Sequence, residues 1–228
     1  MSHRETVTIS RRRVLAAAAA FSSQLIVPLP LSALAKPSRP LGEGRMDIDR
    51  FVEDCITASS ESEPQAAVLE VLARAVHTPK AVLAAIGEPK KAGLNVLHRS
   101  ATLTIFSAAW TPQMNLMPHD HLMWANIGIY TGREDNIMWR RTAEDIEAFE
   151  VKALFEGDSA ALPDDAIHSV TNPLPRFTGG IHIYGGDFFE TTRTQWNPET
   201  LAEEPSDGAV IRGIFERENE RMKRSGAP

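Results

Sequence analysis

The residues with the clearest capacity for chemistry in this sequence are three histidines. His119 and His121 are separated by one residue, and residues at that spacing in a β-strand point to the same face of the sheet. His168 lies in a second strand-like run and is the candidate for a third imidazole on that face. Three imidazoles that converge can hold a divalent metal ion. Alternating histidines also occur among ordinary core residues, so the spacing alone does not establish a metal site.

The composition of the chain excludes several other classes of function. The 228 residues carry a formal net charge of −6. The sequence lacks the basic stripe that phosphate contacts require, which argues against a nucleic-acid binder. Cys55 is the only cysteine, so an internal disulfide framework and a thiolate-rich metal site are both excluded. Cys55 shares one helical face with apolar residues, and we expect it to be a buried core thiol.

The elements that must position the histidines begin with a small helical layer, which we expect over residues 47–92. Apolar residues recur at helical spacing from Ile48 to Ile56. A second helix begins at Ser62-Glu63-Pro64-Gln65, a segment that combines a capping box with proline at the first helical position. Thr78-Pro79 predicts the start of a third helix in the same way.

From about residue 93 the hydrophobic pattern changes to an alternation with period two, which is typical of strands. Polar clusters such as residues 131–136 indicate turns between short runs. Many short strands at close spacing favour an antiparallel barrel or a jelly-roll sandwich, and we expect it over residues 93–200.

Residues 201–228 predict a C-terminal helix and tail. The apolar stripe of this helix consists of Val210, Ile211, Ile214 and Phe215. The charged side chains beside the stripe, which include Glu218 and Arg221, are interpreted as solvated surface.

Residues 1–35 resemble an export signal. The segment Ser10-Arg11-Arg12-Arg13-Val14-Leu15 is similar to the twin-arginine motif, with Val14 in place of the usual phenylalanine. An alanine-rich stretch follows, and Ala33-Leu34-Ala35 has the pattern of a cleavage site. The resemblance implies recognition by the twin-arginine export machinery, a periplasmic or exported location, and no membrane contact after cleavage. An uncleaved anchoring helix is the alternative. Residues 36–46 contain proline, glycine and arginine without periodicity, and we expect them to form a flexible linker.

The histidine segments resemble the two sequence motifs of the cupin superfamily. The first motif, H-x-H-x(3,4)-E-x(6)-G, matches at His119, His121 and Gly132. Its glutamate is missing, because Ala125 and Asn126 occupy the two positions open to it.

The second cupin motif, G-x(5)-P-x-G-x(2)-H-x(3)-N, matches the run from Gly157 to Asn172, with His168 as its histidine and Asp165 in place of a glycine. The resemblance implies a mainly β protein built on the cupin double-stranded β-helix, a jelly-roll barrel. A small N-terminal helical layer and a C-terminal helix would flank this barrel.

A set of three histidines without a carboxylate resembles the thiol dioxygenases, the cysteine dioxygenase group of mononuclear non-haem iron enzymes. The segment Gly180-Ile181-His182-Ile183-Tyr184 is similar to that family's Ser-x-His-x-Tyr run, with Gly180 in the serine's place. The resemblance implies one Fe(II) per chain, held by the three histidines. The substrate would be cysteine or another small thiol carboxylate, which O2 oxidises to a sulfinate. Tyr184 would orient or protonate the oxygen, and His182 would hold Tyr184 by a hydrogen bond.

The segment His98-Arg99-Ser100 lies where this family carries the arginine that pairs with the substrate carboxylate. The resemblance therefore implies Arg99 as the substrate-binding residue, and an ordinary surface salt bridge is the other interpretation. Arg133, Arg140 and Arg141 are alternative carboxylate partners in solvated positions. Two other functions stay open, namely a cupin metalloenzyme of different chemistry, such as a ring-cleaving dioxygenase, and a non-catalytic cupin that binds a small ligand.

Overall fold

The computed structural model describes residues 44–226, so the predicted export signal lies outside the described residues. The described part of the chain forms four helices and eleven strands. The helices are α1 (Ile48–Ala58), α2 (Pro64–Val76), α3 (Pro79–Ile86) and α4 (Gly208–Ser225). The strands are β1 (Gly93–Arg99), β2 (Thr104–Trp110), β3 (Asn115–Asp120), β4 (Ala125–Thr131), β5 (Arg133–Arg141), β6 (Ile146–Phe155), β7 (Ser159–Leu162), β8 (Ile167–Thr171), β9 (Thr178–Tyr184), β10 (Thr194–Trp196) and β11 (Glu203–Pro205).

Two antiparallel sheets form the barrel. The first has the strand order β1-β2-β9-β4-β7, and the second has the order β11-β10-β3-β8-β5-β6. From β2 to β5, and again from β6 to β10, each step along the chain passes from one sheet to the other. This alternation is the arrangement of a double-stranded β-helix. The predicted jelly-roll barrel is therefore confirmed, with helices on its N-terminal and C-terminal sides.

Strand β9 is buried on both faces and separates two apolar cores. Tyr184 belongs to the core between the two sheets, and the ring of His182 stacks on Phe106 in the same core. Ile181 and Ile183 pack instead in a second core, which the three N-terminal helices cover. The alternation predicted for this segment is confirmed, and it directs the two polar side chains into the barrel.

Helix α2 lies close against the first sheet at Gly128 in β4. A Cβ atom at this position would lie 2.9 Å from side-chain atoms of Leu72 and of Val76. Both of these side chains are fully buried. A larger residue at Gly128 would therefore push the helix away from the sheet.

The capping box predicted at the start of α2 is wrong. Pro64 is the first helical residue, as expected, but the N-cap is Glu63, and no side chain bonds to the free N–H groups there. The side-chain amide of Gln65 donates instead to the carbonyl oxygens of Ala125 at 3.2 Å and Leu162 at 2.8 Å. These bonds hold the helix against β4 and β7. They also occupy the side chain of Gln65, which the predicted capping box needs as a partner for the start of the helix.

Helix α4 closes one end of the barrel. Asp207 is its N-cap, and the side-chain carboxylate accepts a hydrogen bond from the backbone N–H of Ala209. The buried ring of Phe215 stacks on Trp110 with a centroid distance of 5.6 Å. Val210 is 42% exposed, so the apolar stripe is narrower than predicted. Within the described residues, no helix is both long enough and apolar enough to cross a bilayer.

The interpretation of Glu218 and Arg221 as purely solvated residues is wrong, because both bind the barrel. The carboxylate of Glu218 accepts a hydrogen bond from the hydroxyl of Thr111 at 2.8 Å. The guanidinium of Arg221 donates to the carbonyl oxygen of Pro112 at 2.5 Å. These contacts fix the helix against the end of β2, which keeps Phe215 over the barrel interior.

The structure predicts that the thiol of Cys55 is unreactive in the folded protein. Cys55 is fully buried, and burial, with a smaller effect of the neighbouring Asp54 charge, raises the pKa of the thiol to about 12. Since the thiolate is the nucleophile, alkylation by iodoacetamide at pH 8 will be negligible until the chain is unfolded in urea. Mass spectrometry measures the modified fraction. Alkylation of the folded protein at the rate of the unfolded chain would contradict this prediction.

Candidate metal centre

The structure brings the three predicted histidines together between the sheets. His119 in β3 lies directly opposite His168 in β8, because the two strands pair antiparallel in this register. His121 comes directly after Asp120, the last residue of β3, and is not part of the strand. One ring nitrogen from each residue lies within 4.8 Å of the others, and Nε2 of His121 is 3.1 Å from Nε2 of His168.

Burial keeps all three imidazoles neutral. Desolvation lowers the pKa of His119 to about 4, and it lowers the pKa values of His121 and His168 well below the ordinary value. A neutral imidazole retains a nitrogen lone pair, which is the form that binds a metal ion. At neutral pH no proton therefore has to be removed from the three rings before a metal can bind.

Hydrogen bonds to Nδ1 fix the ring orientations of His119 and His168, and they leave Nε2 of each ring on the side of the cluster. Nδ1 of His119 lies 2.9 Å from the carbonyl oxygen of Met117, and Nδ1 of His168 lies 2.7 Å from Oδ1 of Asn136. Both partners are acceptors, so each Nδ1 carries a proton and each Nε2 is free to bind a cation. Nδ1 of His121 is buried and has no partner within residues 44–226. This donor set fits a divalent first-row metal ion.

The residues at the position of the missing cupin glutamate do not supply a carboxylate. Ala125 packs in the core between the sheets, and the amide of Asn126 donates to the backbone carbonyl of Gln65 in α2. In the described part of the chain, the cluster of possible metal ligands contains histidines alone.

A buried glutamate that the sequence analysis missed lies next to this cluster. The carboxylate of Glu134 accepts hydrogen bonds from Nε1 of Trp110 at 2.7 Å, from Nδ2 of Asn136 at 3.1 Å and from Nε2 of His182 at 3.2 Å. Burial alone would raise the pKa of Glu134, but His182 and these hydrogen bonds outweigh that effect, and the pKa lies below its ordinary value. Glu134 is therefore a carboxylate at neutral pH.

The predicted turn over residues 131–136 is wrong, which is why Glu134 was missed. Strand β5 begins at Arg133, and Glu134, Asn136 and Met138 are the buried residues of its alternating pattern. Polar residues dominate this run, so its period of two is not visible as a hydrophobic alternation. The signal that could have identified it is the spacing of two between the glutamate, the asparagine and the methionine.

His182 and Tyr184 lie beside the metal cluster. The hydroxyl of Tyr184 is 3.4 Å from Nδ1 of His182, and the tyrosine ring lies 4.9 Å from the ring of His121. Burial raises the pKa of Tyr184, so its phenol keeps its proton. A Cβ atom at Gly180 would lie 3.3 Å from Nε2 of His182, so the side-chain position nearest this nitrogen has no hydrogen-bonding group.

A cavity of about 40 Å³ adjoins the cluster, and its walls are mostly apolar. The polar residues in its walls are His119, His168, His182, Tyr184 and Arg193. The guanidinium of Arg193 lies 3.9 Å from the centre of the Phe188 ring. Its Nε and Nη1 atoms are buried without a hydrogen-bond partner in residues 44–226. Burial lowers the pKa of Arg193, and Tyr184 and Asp120 oppose that shift.

Strand β10, which begins directly after Arg193, holds this residue at the wall of the cavity. Asp120, between two of the histidines, accepts a hydrogen bond from the backbone N–H of Thr194 at 2.8 Å. The next residue, Gln195, pairs with His119 across β10 and β3. The sequence around Arg193 has no motif or periodicity that marks it as a site residue.

The structure does not bring Arg99 together with the histidines. Its guanidinium donates to the carboxylates of Asp187 at 2.9 Å and Glu190 at 2.8 Å, and its side chain is 41% exposed. Arg99 is not in the walls of the cavity. The other three predicted arginines form ion pairs of their own, Arg133 with Asp135, Arg140 with Glu147, and Arg141 with Glu203.

Solved structures of other proteins are similar to parts of this chain at low sequence identity. No family model matches this sequence, and no curated protein matches it. An uncharacterized conserved protein with a double-stranded β-helix domain from Klebsiella pneumoniae is 12% identical with a TM-score of 0.36, and the match covers 53% of this chain and 88% of that one. An RmlC-like cupin family protein from Methanocaldococcus jannaschii is 12% identical with a TM-score of 0.37, over 45% of this chain and 87% of that one. A cupin domain from Bordetella pertussis is 19% identical with a TM-score of 0.33, over 42% of this chain and 95% of that one.

Proposed function

We propose that this protein is a mononuclear non-haem iron enzyme that oxidises a small thiol to a sulfinate with O2. The observation that carries the proposal is the cluster of three neutral imidazoles, without a carboxylate among the described residues, beside the phenol of Tyr184. In the balanced reaction a thiolate and one O2 give a sulfinate. Both oxygen atoms form bonds to sulfur, the O–O bond breaks, and sulfur supplies the electrons that reduce the dioxygen.

The charge of the ligand set supports an anionic sulfur substrate. Three neutral imidazoles leave the full +2 charge of a divalent ion at the site, whereas a carboxylate ligand would lower it to +1. When bound here, Fe(II) supplies a Lewis acid that binds sulfur as the thiolate and makes O2 available for its oxidation.

The size of the cavity supports a small substrate. About 40 Å³ holds roughly three water-sized groups. This volume is small for the aromatic ring that a ring-cleaving dioxygenase would have to hold, and it favours a short thiol over such a ring. The apolar walls, which include Phe106 and Phe188, exclude bulk water from the reacting groups.

Arg193 is the residue we assign to a carboxylate on the substrate. A buried N–H group without a partner costs about 1–3 kcal/mol, and a carboxylate would offset this cost through charge-assisted hydrogen bonds. Nε and Nη1 of Arg193 are buried without a hydrogen-bond partner among residues 44–226, whereas Arg99 already binds two carboxylates. The position of Arg193 in the cavity wall supports this assignment over the prediction for Arg99.

Tyr184 holds a proton at the edge of the cavity. Its buried phenol is neutral, so the hydroxyl can donate a hydrogen bond to an oxygen atom that becomes negatively charged during the reaction. His182 lies within reach of the same hydroxyl and orients it.

The His168→Ala substitution should abolish iron retention, because it removes one of three ligands. The Tyr184→Phe substitution should retain iron and lower kcat by about 10- to 100-fold, because it removes one hydrogen bond to a developing negative charge. Metal analysis of purified protein and oxygen uptake with cysteine measure the two effects. Full activity of either variant, or a wild-type protein that binds iron and consumes no oxygen with any small thiol, would overturn the assignment.

The assignment of the substrate carboxylate to Arg193 or to Arg99 predicts different effects of their substitution on KM. The Arg193→Gln substitution should raise KM for cysteine and 3-mercaptopropionate by about 10- to 100-fold, as expected for the loss of a charged hydrogen bond. It should leave KM for cysteamine, which has no carboxylate, within about twofold. Arg99→Gln is the matched control and should leave all three KM values close to those of the wild type. An increase that is confined to Arg99→Gln would return the role to Arg99.

We also propose that the protein is exported by the twin-arginine route, on the basis of the pattern at residues 10–15. Replacement of Arg11 and Arg12 by lysine keeps the charge and removes the paired guanidinium groups that the export receptor reads. Cell fractionation should then find the variant in the cytoplasm and the wild type in the periplasm. Equal export of both proteins would contradict the proposal.

A further inference from the structure

We propose that Glu134 is a positioning residue that sets where the protons lie on the metal ligand His168 and on His182. Glu134 is fully buried and accepts hydrogen bonds both from Asn136, which contacts His168, and from His182. The inference rests on the proposed metal centre, and it does not depend on thiol oxidation.

The first connection runs from Glu134 through Asn136 to His168. Oε1 of Glu134 accepts a hydrogen bond from Nδ2 of Asn136 at 3.1 Å. This bond fixes the orientation of the asparagine amide, so that Oδ1 faces Nδ1 of His168 at 2.7 Å. A carbonyl oxygen can only accept, so the proton of His168 lies on Nδ1 and the lone pair lies on Nε2, toward the other histidines.

The second connection runs from Glu134 to His182. Oε2 of Glu134 accepts hydrogen bonds from Nε2 of His182 at 3.2 Å and from Nε1 of Trp110 at 2.7 Å. The carboxylate holds a proton on Nε2 of His182, and Nδ1 of the same ring faces the hydroxyl of Tyr184 at 3.4 Å. Gly180 has no side chain to replace the carboxylate at this nitrogen.

The network requires a residue that only accepts hydrogen bonds. The N–H of Trp110 can only donate, and it shares Oε2 of Glu134 with His182. A glutamine at position 134 must therefore turn its oxygen toward these two donors and its NH2 group toward Asn136. The asparagine amide then has to rotate and present its own NH2 group to His168. Nδ1 of His168 becomes an acceptor, and the proton moves to the nitrogen that should bind the metal.

The test is Co²⁺ titration of metal-free protein, followed by visible absorption, together with ¹⁵N NMR of labelled histidines to identify the tautomer of His168. The Glu134→Gln substitution should weaken Co²⁺ binding by about 10- to 100-fold. It should also shift metal-free His168 to the tautomer with the proton on Nε2. Glu220→Gln, an exposed glutamate of α4 that pairs with Lys223, is the control and should change neither measurement.

A compensating variant separates this role from general structural support. In the double variant Glu134→Gln/Asn136→Asp, the glutamine donates to the new carboxylate, which accepts from Nδ1 of His168 on its other oxygen. The double variant should regain Co²⁺ affinity to within about threefold of the wild type and restore the Nδ1–H tautomer. If the single variant does not fold, the double variant must still fold and bind Co²⁺.

Two results would overturn the proposal. One is a Glu134→Gln protein that keeps wild-type Co²⁺ affinity and the wild-type His168 tautomer. The other is a double variant that is no better than the single variant. Neither assay contains a thiol or depends on O2, so a failure of the proposed thiol oxidation would leave both readouts intact and would be recognised separately.

Discussion

Burial of three imidazoles between two sheets is the constraint on which the rest of the site depends. Removal from water penalises the charged ring, so His119, His121 and His168 stay neutral, with a donor on one nitrogen and a lone pair on the other. A buried donor needs a partner. The carbonyl of Met117 and the amide of Asn136 meet that need for two of the rings. The same bonds leave Nε2 of both rings with a lone pair, which is the atom that would bind a cation.

Trp110 connects this polar network to the apolar end of the barrel. Its indole N–H donates to Glu134, while its ring stacks on Phe215 of α4. Glu218 and Arg221 hold the same helix against residues 111 and 112, directly after Trp110 in the chain. The wall of the cavity and the hydrogen bonds around the histidines are therefore supported by one residue, so a shift of α4 would disturb both.

Periodicity and motif spacing predicted the fold and the three histidines, together with the inward direction of His182 and Tyr184. They could not predict Glu134, because a polar run looks like a turn when its burial depends on donors from distant strands. Arg193 was missed for a similar reason. Its location follows from a side-chain bond of Asp120 to the backbone of the next strand, and nothing local in the sequence records that contact.

The site contains one buried carboxylate, Glu134, which lies outside the cluster of three histidines. Ala125 and Asn126 occupy the two positions open to the cupin glutamate, and the side chain of Asn126 bonds to helix α2 on the other side of the sheet. The negative charge lies instead on Glu134, one amide group away from His168. A carboxylate at this distance polarises the imidazole and fixes its tautomer without joining the ligand set, as hydrogen-bonded neighbours of metal ligands do. A divalent ion held by the three histidines would thus keep its full charge, while Glu134 would still control the orientation of one ligand.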